Sequence, residues 1–181
     1  FTILGYIIEK VSGKNYGAYI KENIWKPLNM EASWEFSSIA DTKLAHGYRW
    51  IDNNWTEEAL LHDGIYGAMG GMITSVESFS KYVSLHLDAW PPRNNTETGP
   101  VKRSSIREMH QPSRFIGLNA TYKYPSGRAC ATSTAYGYGL SWLKDCRGRT
   151  SIAHSGGLPG FGSNWRILPE YGLGVILLAN V

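Results

Sequence analysis

The segment His154–Phe161 restricts the backbone more than any other part of this sequence. Four of its eight residues are glycine or proline, and glycine lets another group approach the main chain closely. Runs of strand-forming residues flank it, Thr150–Ala153 before and Ser163–Leu168 after. Two interpretations are open: a Gly-Pro turn inside a hairpin, or a strand edge that presents His154, Ser155 and bare backbone N–H groups to a cleft. The second arrangement suits the binding of a carbonyl or carboxylate oxygen.

Length and composition place the chain among ordinary globular proteins. Its 181 residues suffice for one domain with a sizeable core. The net charge is only +3, without a basic stripe, which argues against nucleic-acid binding. The longest apolar runs are too short to span a bilayer. Ligand spacings such as H-x-x-x-H, Cys/His clusters, the P-loop and the dinucleotide fingerprint are all absent from the sequence, so neither a metal nor another cofactor is expected.

The two ends and the two cysteines add expectations about the wider protein. The sequence opens at Phe1 without an initiator Met or a basic leader region and stops abruptly at Val181, so we expect a piece of a longer chain. Cys130 and Cys146 are either unrelated buried thiols or a disulfide. Sequence alone leaves both open because it does not show the distance between their Cα atoms.

The first part of the chain has helical patterns. Apolar residues spaced by four along Phe1–Val11 predict a helix that has an apolar face and ends at Gly13. A second helix is predicted over Tyr16–Trp25. The pattern S/T-x-x-E at Thr74 and again at Ser105 is that of a capping box, in which the first residue caps a helix that begins there.

The last part of the chain has strand patterns. Residues 115–134 show no regular period, and a period of two follows. The strand candidates are Tyr136–Leu143, Thr150–Ser155, Ser163–Leu168 and Leu173–Leu178. Consecutive strands with short turns predict an antiparallel meander. The sequence therefore predicts an α/β chain of the α+β type, with helix and loop over residues 1–135 and antiparallel strands over residues 136–181.

Five segments carry a family resemblance when they are taken together and in order. They are Leu4–Gly13, Ala45–Tyr48 (A-H-G-Y), Gly70–Ser75 (G-G-M-I-T-S), Tyr138–Trp142 (Y-G-L-S-W) and His154–Phe161. Nearly the whole chain resembles the serine β-lactamase-like hydrolases related to class C β-lactamases, D-alanyl-D-alanine carboxypeptidases and esterases. This resemblance implies a β-lactamase/transpeptidase-like fold, an antiparallel sheet with helices packed on it, present here as a single partial domain.

Three motifs build the site in that family: S-x-x-K with the nucleophilic Ser, Y-x-N, and K-T-G or H-x-G on the strand beside the cleft. Only the third is present, as H-S-G at His154. S-x-x-K spacings at Ser78 and Ser141 come too late in the chain, because the family's nucleophile precedes every segment that matches here. The N-terminal part with the nucleophile and the family's last helix are therefore expected to be missing.

The resemblance implies roles for four residues and no cofactor or metal. His154 orients the substrate and tunes proton transfer, and the Gly157 N–H forms one half of an oxyanion hole. Ser155 and Gly156 bind substrate, Ser155 through a hydrogen bond to a carboxylate or carbonyl. A Lys is a fixed cation suited to a β-lactam carboxylate, whereas a His is often neutral at pH 7, so H-x-G favours an ester or amide over a β-lactam.

Several functional hypotheses follow. In the first, the chain is part of a serine hydrolase that forms an acyl-enzyme with an ester or amide of a small molecule or peptide. The chain alone is then inactive, because the missing N-terminal part of the same domain is needed to complete the site. Another is a non-catalytic binding or regulatory relative. A third is a truncated reading frame. The family's usual location and the cysteine pair favour a periplasmic or secreted protein.

Overall fold

A computed structural model describes residues 1–60 and 67–180 of the chain. The helices are α1 (Thr2–Ser12), α2 (Tyr16–Ile20), α3 (Val76–Asp88) and α4 (Arg103–Met109). The short strands are β1 (Ala32–Ser33), β2 (Tyr48–Ile51), β3 (Asn54–Glu57) and β4 (Ile73–Thr74). The remaining strands are β5 (Arg114–Asn119), β6 (Thr132–Gly137), β7 (Leu140–Asp145), β8 (Thr150–Leu158), β9 (Phe161–Leu168) and β10 (Leu173–Ala179).

The chain forms two compact units. The first comprises Phe1–Tyr82, Gly156–Ser163 and the residues from Leu177 onward, and the second comprises Val83–Ser155 and Asn164–Ile176. None of the described helices is both long and apolar enough to cross a membrane.

The first two helices of the first unit begin and end as local rules predict. Gly13 ends α1 in the left-handed conformation, at φ 68°, and its N–H donates to the Glu9 carbonyl. Asn15 caps α2, because its side-chain oxygen accepts a hydrogen bond from the Gly17 N–H at 2.9 Å. The helix continues as one π-helical turn that ends at Trp25, so the predicted span of the second helix is confirmed.

The apolar face of α1 is exposed to solvent within the described part of the chain. Ile3, Ile7 and Val11 are 75%, 48% and 84% exposed. The helix is instead buried at Gly5, where an added Cβ would lie 2.4 Å from the Cβ of Ala68. A 3.6-residue period shows which side chains share a face, but it does not show which face the rest of the chain covers.

Both predicted capping boxes are wrong in detail. The Thr74 hydroxyl donates to the Glu31 carbonyl at 2.9 Å, and Ser75 caps α3 instead by accepting from the Ser78 N–H at 3.0 Å. Ser105 lies inside α4 rather than at its start. A tertiary contact displaced the cap at Thr74, because a hydroxyl that bonds to a distant carbonyl no longer serves the nearest helix end. The cap at Ser105 is displaced because α4 begins two residues earlier.

The sheet is antiparallel and larger than predicted. Its strand order is β10-β9-β8-β7-β6-β5, so it begins at Arg114 and not at residue 136. Residues 115–134, predicted to be irregular, contain β5 and the first part of β6. The β5 sequence R-F-I-G-L-N does not alternate apolar and polar residues, and nearly all of its side chains are exposed, including Phe115, Ile116 and Leu118.

One predicted strand is a hairpin. Tyr136–Leu143 spans the end of β6, a two-residue turn and the start of β7. Tyr138 and Gly139 in that turn have φ of 51° and 79°, the positive values that a type I′ turn requires. The other three strand candidates correspond to β8, β9 and β10.

A helix packs closely on the sheet in the second unit. A Cβ added at Gly174 of β10 would lie 2.9 Å from Cγ1 of Val83 and 3.5 Å from Cγ2 of Ile167, so α3 and the strands meet without room for a side chain. The apolar core of this unit includes Val83, Leu85, Ala89, Ile106, Ala135, Leu140, Ile152, Ala153, Trp165 and Ile167. Helices on an antiparallel sheet confirm the predicted fold class.

A disulfide joins Cys130 and Cys146, whose Cα atoms lie 5.2 Å apart, and this resolves the two alternatives left open above. The bond closes the end of the β6–β7 hairpin just beyond the Thr132–Asp145 pair. Asp145 also accepts hydrogen bonds from Tyr124 Oη at 2.6 Å and Arg149 Nε at 2.7 Å. Burial opposes ionisation of Asp145, but these hydrogen bonds outweigh it and lower the pKa of Asp145.

Candidate functional site

Strand β8 leaves the core at the position of the sequence motif. Residues 151–153 are buried, His154 is half-buried, and Ser155 to Pro159 are exposed. The strand ends at Leu158, and Gly160, with φ of 76°, lies in the turn before β9. Both interpretations of the segment therefore apply to different parts of it: H-S-G-G-L is strand, and Pro159-Gly160 is the hairpin turn.

The neighbouring strand stops short of this exposed end. The registered pairs of β7 with β8 run from Lys144–Thr150 to Ser141–Ala153, whereas β8 continues to Leu158. An extended backbone beyond its last paired residue has N–H groups on that side available to a ligand.

The two glycines of the motif have different surroundings. A Cβ at Gly156 would lie 2.7 Å from Ser163 Oγ, whereas a Cβ at Gly157 would meet no described heavy atom within 4 Å. The Ser163 hydroxyl lies 3.5 Å from the Gly156 carbonyl. The missing side chain of Gly156 therefore leaves room for Ser163 within the hairpin. The missing side chain of Gly157 leaves its backbone N–H and carbonyl exposed beside open space.

His154 has one polar neighbour that sequence patterns did not single out. The Tyr136 hydroxyl lies 3.5 Å from His154 Nε2, at the outer limit of a hydrogen bond. Tyr136 is on β6, two strands from β8 in the sheet. The sequence marked Tyr136 only as a strand residue, because no local spacing links it to His154.

The two chance S-x-x-K spacings do not form nucleophile–lysine pairs. Ser78 is 4% exposed and its hydroxyl accepts a hydrogen bond from the Glu31 N–H at 2.6 Å. The Lys81 ammonium donates to the Asn29 carbonyl. Ser141 and Lys144 lie three apart on β7 and so point to opposite faces of the strand. Ser78 therefore has a structural role in joining α3 to the segment before β1.

A second histidine, which the sequence did not single out for chemistry, lies between two carboxylates. His46 Nδ1 is 2.6 Å from Glu57 Oε1, and Nε2 is 3.4 Å from Asp41 Oδ1. The hydrogen bond and charge of Glu57, with a smaller contribution from Asp41, raise the pKa of His46. In residues 1–60 and 67–180, no group of three or more His, Cys, Asp or Glu side chains is arranged to hold a metal ion.

Replacement of the main partner should lower this pKa. In Glu57→Gln, we expect the pKa of His46 to fall toward its ordinary value, since an amide cannot supply the charge. Because the folded-state pKa is raised, the pair stabilises the fold at low pH, and that contribution is lost as pH rises through the folded-state pKa. An NMR titration of the His46 ring measures its pKa. Glu58→Gln, which removes a neighbouring carboxylate paired with Arg49, is the control, and an unchanged pKa in Glu57→Gln would contradict the assignment.

Named relatives cover this whole chain but are much longer than it. The chain is 24% identical over 187 residues to unguisins hydrolase ungD' of Aspergillus campestris, covering 99% of this chain and 32% of that protein. A second unguisins hydrolase, from Aspergillus violaceofuscus, is 22% identical, with 33% of its length covered. The chain thus spans about a third of the length of these relatives.

Solved structures have the same fold. An octameric penicillin-binding protein homologue from Pyrococcus abyssi superposes with a TM-score of 0.77 at 26% identity, over 98% of this chain and 36% of that one. A D-stereospecific amidohydrolase from Streptomyces sp. superposes with a TM-score of 0.67 at 22% identity, over 97% of this chain and 47% of that one. A class C β-lactamase from Rhodobacter sphaeroides gives 0.64 at 18% identity, over 99% of this chain and 53% of that one.

The family assignment follows from a match over the entire sequence. The β-lactamase family profile aligns with residues 1–181, and the fold described above, helices on an antiparallel sheet, is that of the solved structures. The chain therefore belongs to the β-lactamase family, a family of serine hydrolases.

Proposed function

We propose that the protein to which this chain belongs is a serine hydrolase that cleaves an ester or amide through an acyl-enzyme. The observation that carries the proposal is the exposed H-S-G-G end of β8, where backbone and polar side chains leave the core together. Family membership supports hydrolase chemistry. A polypeptide segment outside these 181 residues supplies the nucleophilic serine in this proposal.

Each residue of the strand has a part in the proposed reaction. The nucleophile attacks the substrate carbonyl, and the Gly157 N–H donates to the oxygen that becomes negative. The second donor is the N–H of the nucleophile itself. Ser155 donates a hydrogen bond to a carboxylate or carbonyl of the substrate, and Gly156 keeps the backbone close to it. His154 orients the substrate and assists proton transfer to the leaving group.

An amide or ester of a small molecule or peptide is the substrate class we propose. Relatives are named for the hydrolysis of unguisins and for D-stereospecific amide hydrolysis. His154 occupies the position at which K-T-G relatives carry a permanent cation, so the strand does not present a fixed positive charge to a β-lactam carboxylate.

Covalent labelling tests the proposal directly. A fluorophosphonate probe, which reacts with activated serines, should label the full-length product of the gene and leave the 181-residue chain unlabelled. Labelling of neither protein would contradict the hydrolase proposal and favour a non-catalytic binding relative. Labelling of the 181-residue chain would place the nucleophile inside it, and Ser155→Ala would then be the first variant to examine.

Removal of the imidazole should slow the chemical step. For His154→Ala in the full-length product, we expect kcat on p-nitrophenyl acetate to fall roughly 100-fold, the lower end of what one general acid–base group contributes. Ser141→Ala, which removes an exposed hydroxyl on β7, is the matched control and should retain the wild-type rate. A kcat for His154→Ala within about twofold of wild type would remove His154 from the proposed site.

A further inference from the structure

Gly47 and Gly160, which are far apart in sequence, pack directly against each other in the first unit. A Cβ added at Gly47 would lie 2.6 Å from Phe161 Cε2 and 2.8 Å from the Gly160 carbonyl oxygen. A Cβ added at Gly160 would lie 2.7 Å from Gly47 Cα. Such distances are shorter than any that real side chains adopt, and two of these contacts are with backbone atoms, which cannot rotate away.

The turn that carries Gly47 is held on two sides. The Asn180 side-chain amide donates to the His46 carbonyl at 2.9 Å, and the Asn180 carbonyl accepts from the Tyr48 N–H at 3.3 Å. On the other side, the Gly47 carbonyl accepts from the Glu58 N–H at 2.8 Å. The turn therefore cannot retreat to make room without breaking hydrogen bonds, and a bulkier residue at position 47 would push the β8–β9 turn instead.

Gly160 of the β8–β9 turn lies three positions after Gly157, the proposed oxyanion donor. Gly160 follows Gly157 closely enough that a shift of the turn moves the end of β8 with it. An oxyanion donor works when it lies 2.7–3.1 Å from the developing charge, and a misplacement of about 1 Å can lower a rate by about 100-fold.

We propose that Gly47 is a positioning residue for the oxyanion strand: its close contact with Gly160 and Phe161 sets the place of the Gly157 N–H. The inference rests on the proposed function for its catalytic consequence, but the positional part stands on the contacts alone. Each of the two backbones needs a glycine at the contact, because a Cβ on either one would overlap the other.

The first experiment measures position without activity. In the 181-residue chain labelled with ¹⁵N, Gly47→Ala should shift the amide resonances of Gly156 and Gly157. Gly117→Ala adds the same methyl group where no described heavy atom lies within 4 Å, and it should leave those resonances in place. If Gly47→Ala does not fold, Asn180→Ala, which removes only the side-chain hydrogen bond to His46, should also shift the Gly156 and Gly157 resonances, because the turn that carries Gly47 is then held less firmly against Gly160.

The second experiment measures the catalytic consequence in the full-length product. For Gly47→Ala, kcat on p-nitrophenyl acetate should fall about tenfold or more while KM changes little, because a displaced donor acts on the transition state. Gly117→Ala should match wild type in both constants. Unshifted Gly156 and Gly157 resonances in folded Gly47→Ala and Asn180→Ala, or an unchanged kcat in an active protein, would overturn the inference. A full-length product that is never labelled would refute the proposed function alone and leave the resonance test to decide.

Discussion

Lowering the pH from 7 to 5 is expected to reduce the free energy of unfolding of this chain by about 3–4 kcal/mol through two buried histidines. His86 and His110 are 0% and 3% exposed. The Trp90 indole N–H donates to His110 Nδ1 at 2.9 Å, and indole nitrogen can only donate. His110 therefore carries its proton on Nε2 and donates it to His86 Nδ1 at 2.8 Å.

This arrangement stabilises the neutral form of both rings. A proton added to His110 Nδ1 would face the Trp90 N–H, and one added to His86 Nδ1 would face the His110 N–H. Burial, with the nearby His110, lowers the pKa of His86 to about 3, and burial lowers the pKa of His110 to about 4. The unfolded chain takes up these protons near pH 6.5. The two histidines therefore make their full contribution to the free energy of unfolding above pH 6.5, and this contribution decreases as the pH falls toward 4.

Urea unfolding at pH 7 and pH 5 measures the effect. His110→Gln removes one titrating group and should reduce the pH dependence by about half. Ser141→Ala, which alters an exposed side chain on β7 that does not titrate, should keep the full dependence. A pH dependence untouched by His110→Gln would contradict the assignment of two neutral histidines, because the His46–Glu57 pair, which favours the fold at low pH, is the same in both proteins.

Loss of the disulfide is expected to reduce the unfolding free energy by about 3 kcal/mol, the contribution of a cross-link that closes a loop of this length. Cys130 and Cys146 are 16 residues apart, and the unfolded chain gains freedom when the bond is absent. The hydrogen bonds of Asp145 with Tyr124 and Arg149 remain, so we expect the fold itself to persist.

The double variant Cys130→Ser/Cys146→Ser, compared with wild type under oxidising and reducing conditions, measures this contribution. Reduction should lower the stability of wild type to that of the double variant and leave the double variant unchanged. The expectation would be contradicted by a double variant whose free energy of unfolding lies within about 0.5 kcal/mol of that of oxidised wild type, an effect no larger than that of an ordinary surface substitution. The disulfide would then not stabilise the fold by restricting the unfolded chain.

Local patterns predicted the features that short backbone rules control. Gly13 ended the first helix because only a residue that tolerates positive φ can do so at low cost. Apolar patterns bounded by turn residues indicated β8, β9 and β10. β8 and β9 have buried side chains, whereas the apolar run of β10 is exposed or half-buried. β5 escaped detection because its exposed side chains carry no alternating pattern.

The candidate strand was predictable for the same reason. The glycines of His154–Phe161 indicated either a hairpin turn or a strand edge, and the structure contains both, a strand to Leu158 and a turn at Pro159-Gly160. The chance pairs Ser78/Lys81 and Ser141/Lys144 were excluded by their order along the chain, and the buried hydroxyl of Ser78 agrees with that exclusion.

Patterns in the amino-acid sequence thus indicated the family, the antiparallel sheet with helices, and the segment that carries the candidate site. The tertiary structure alone decided the hydrogen-bonded pair of His86 and His110, the contact of Gly47 with Gly160, and the transfer of the helix cap from Thr74 to Ser75. The physical reason is distance along the chain. A turn or a helix end depends on residues within a few positions, whereas these contacts join residues that only the complete path of the backbone brings together.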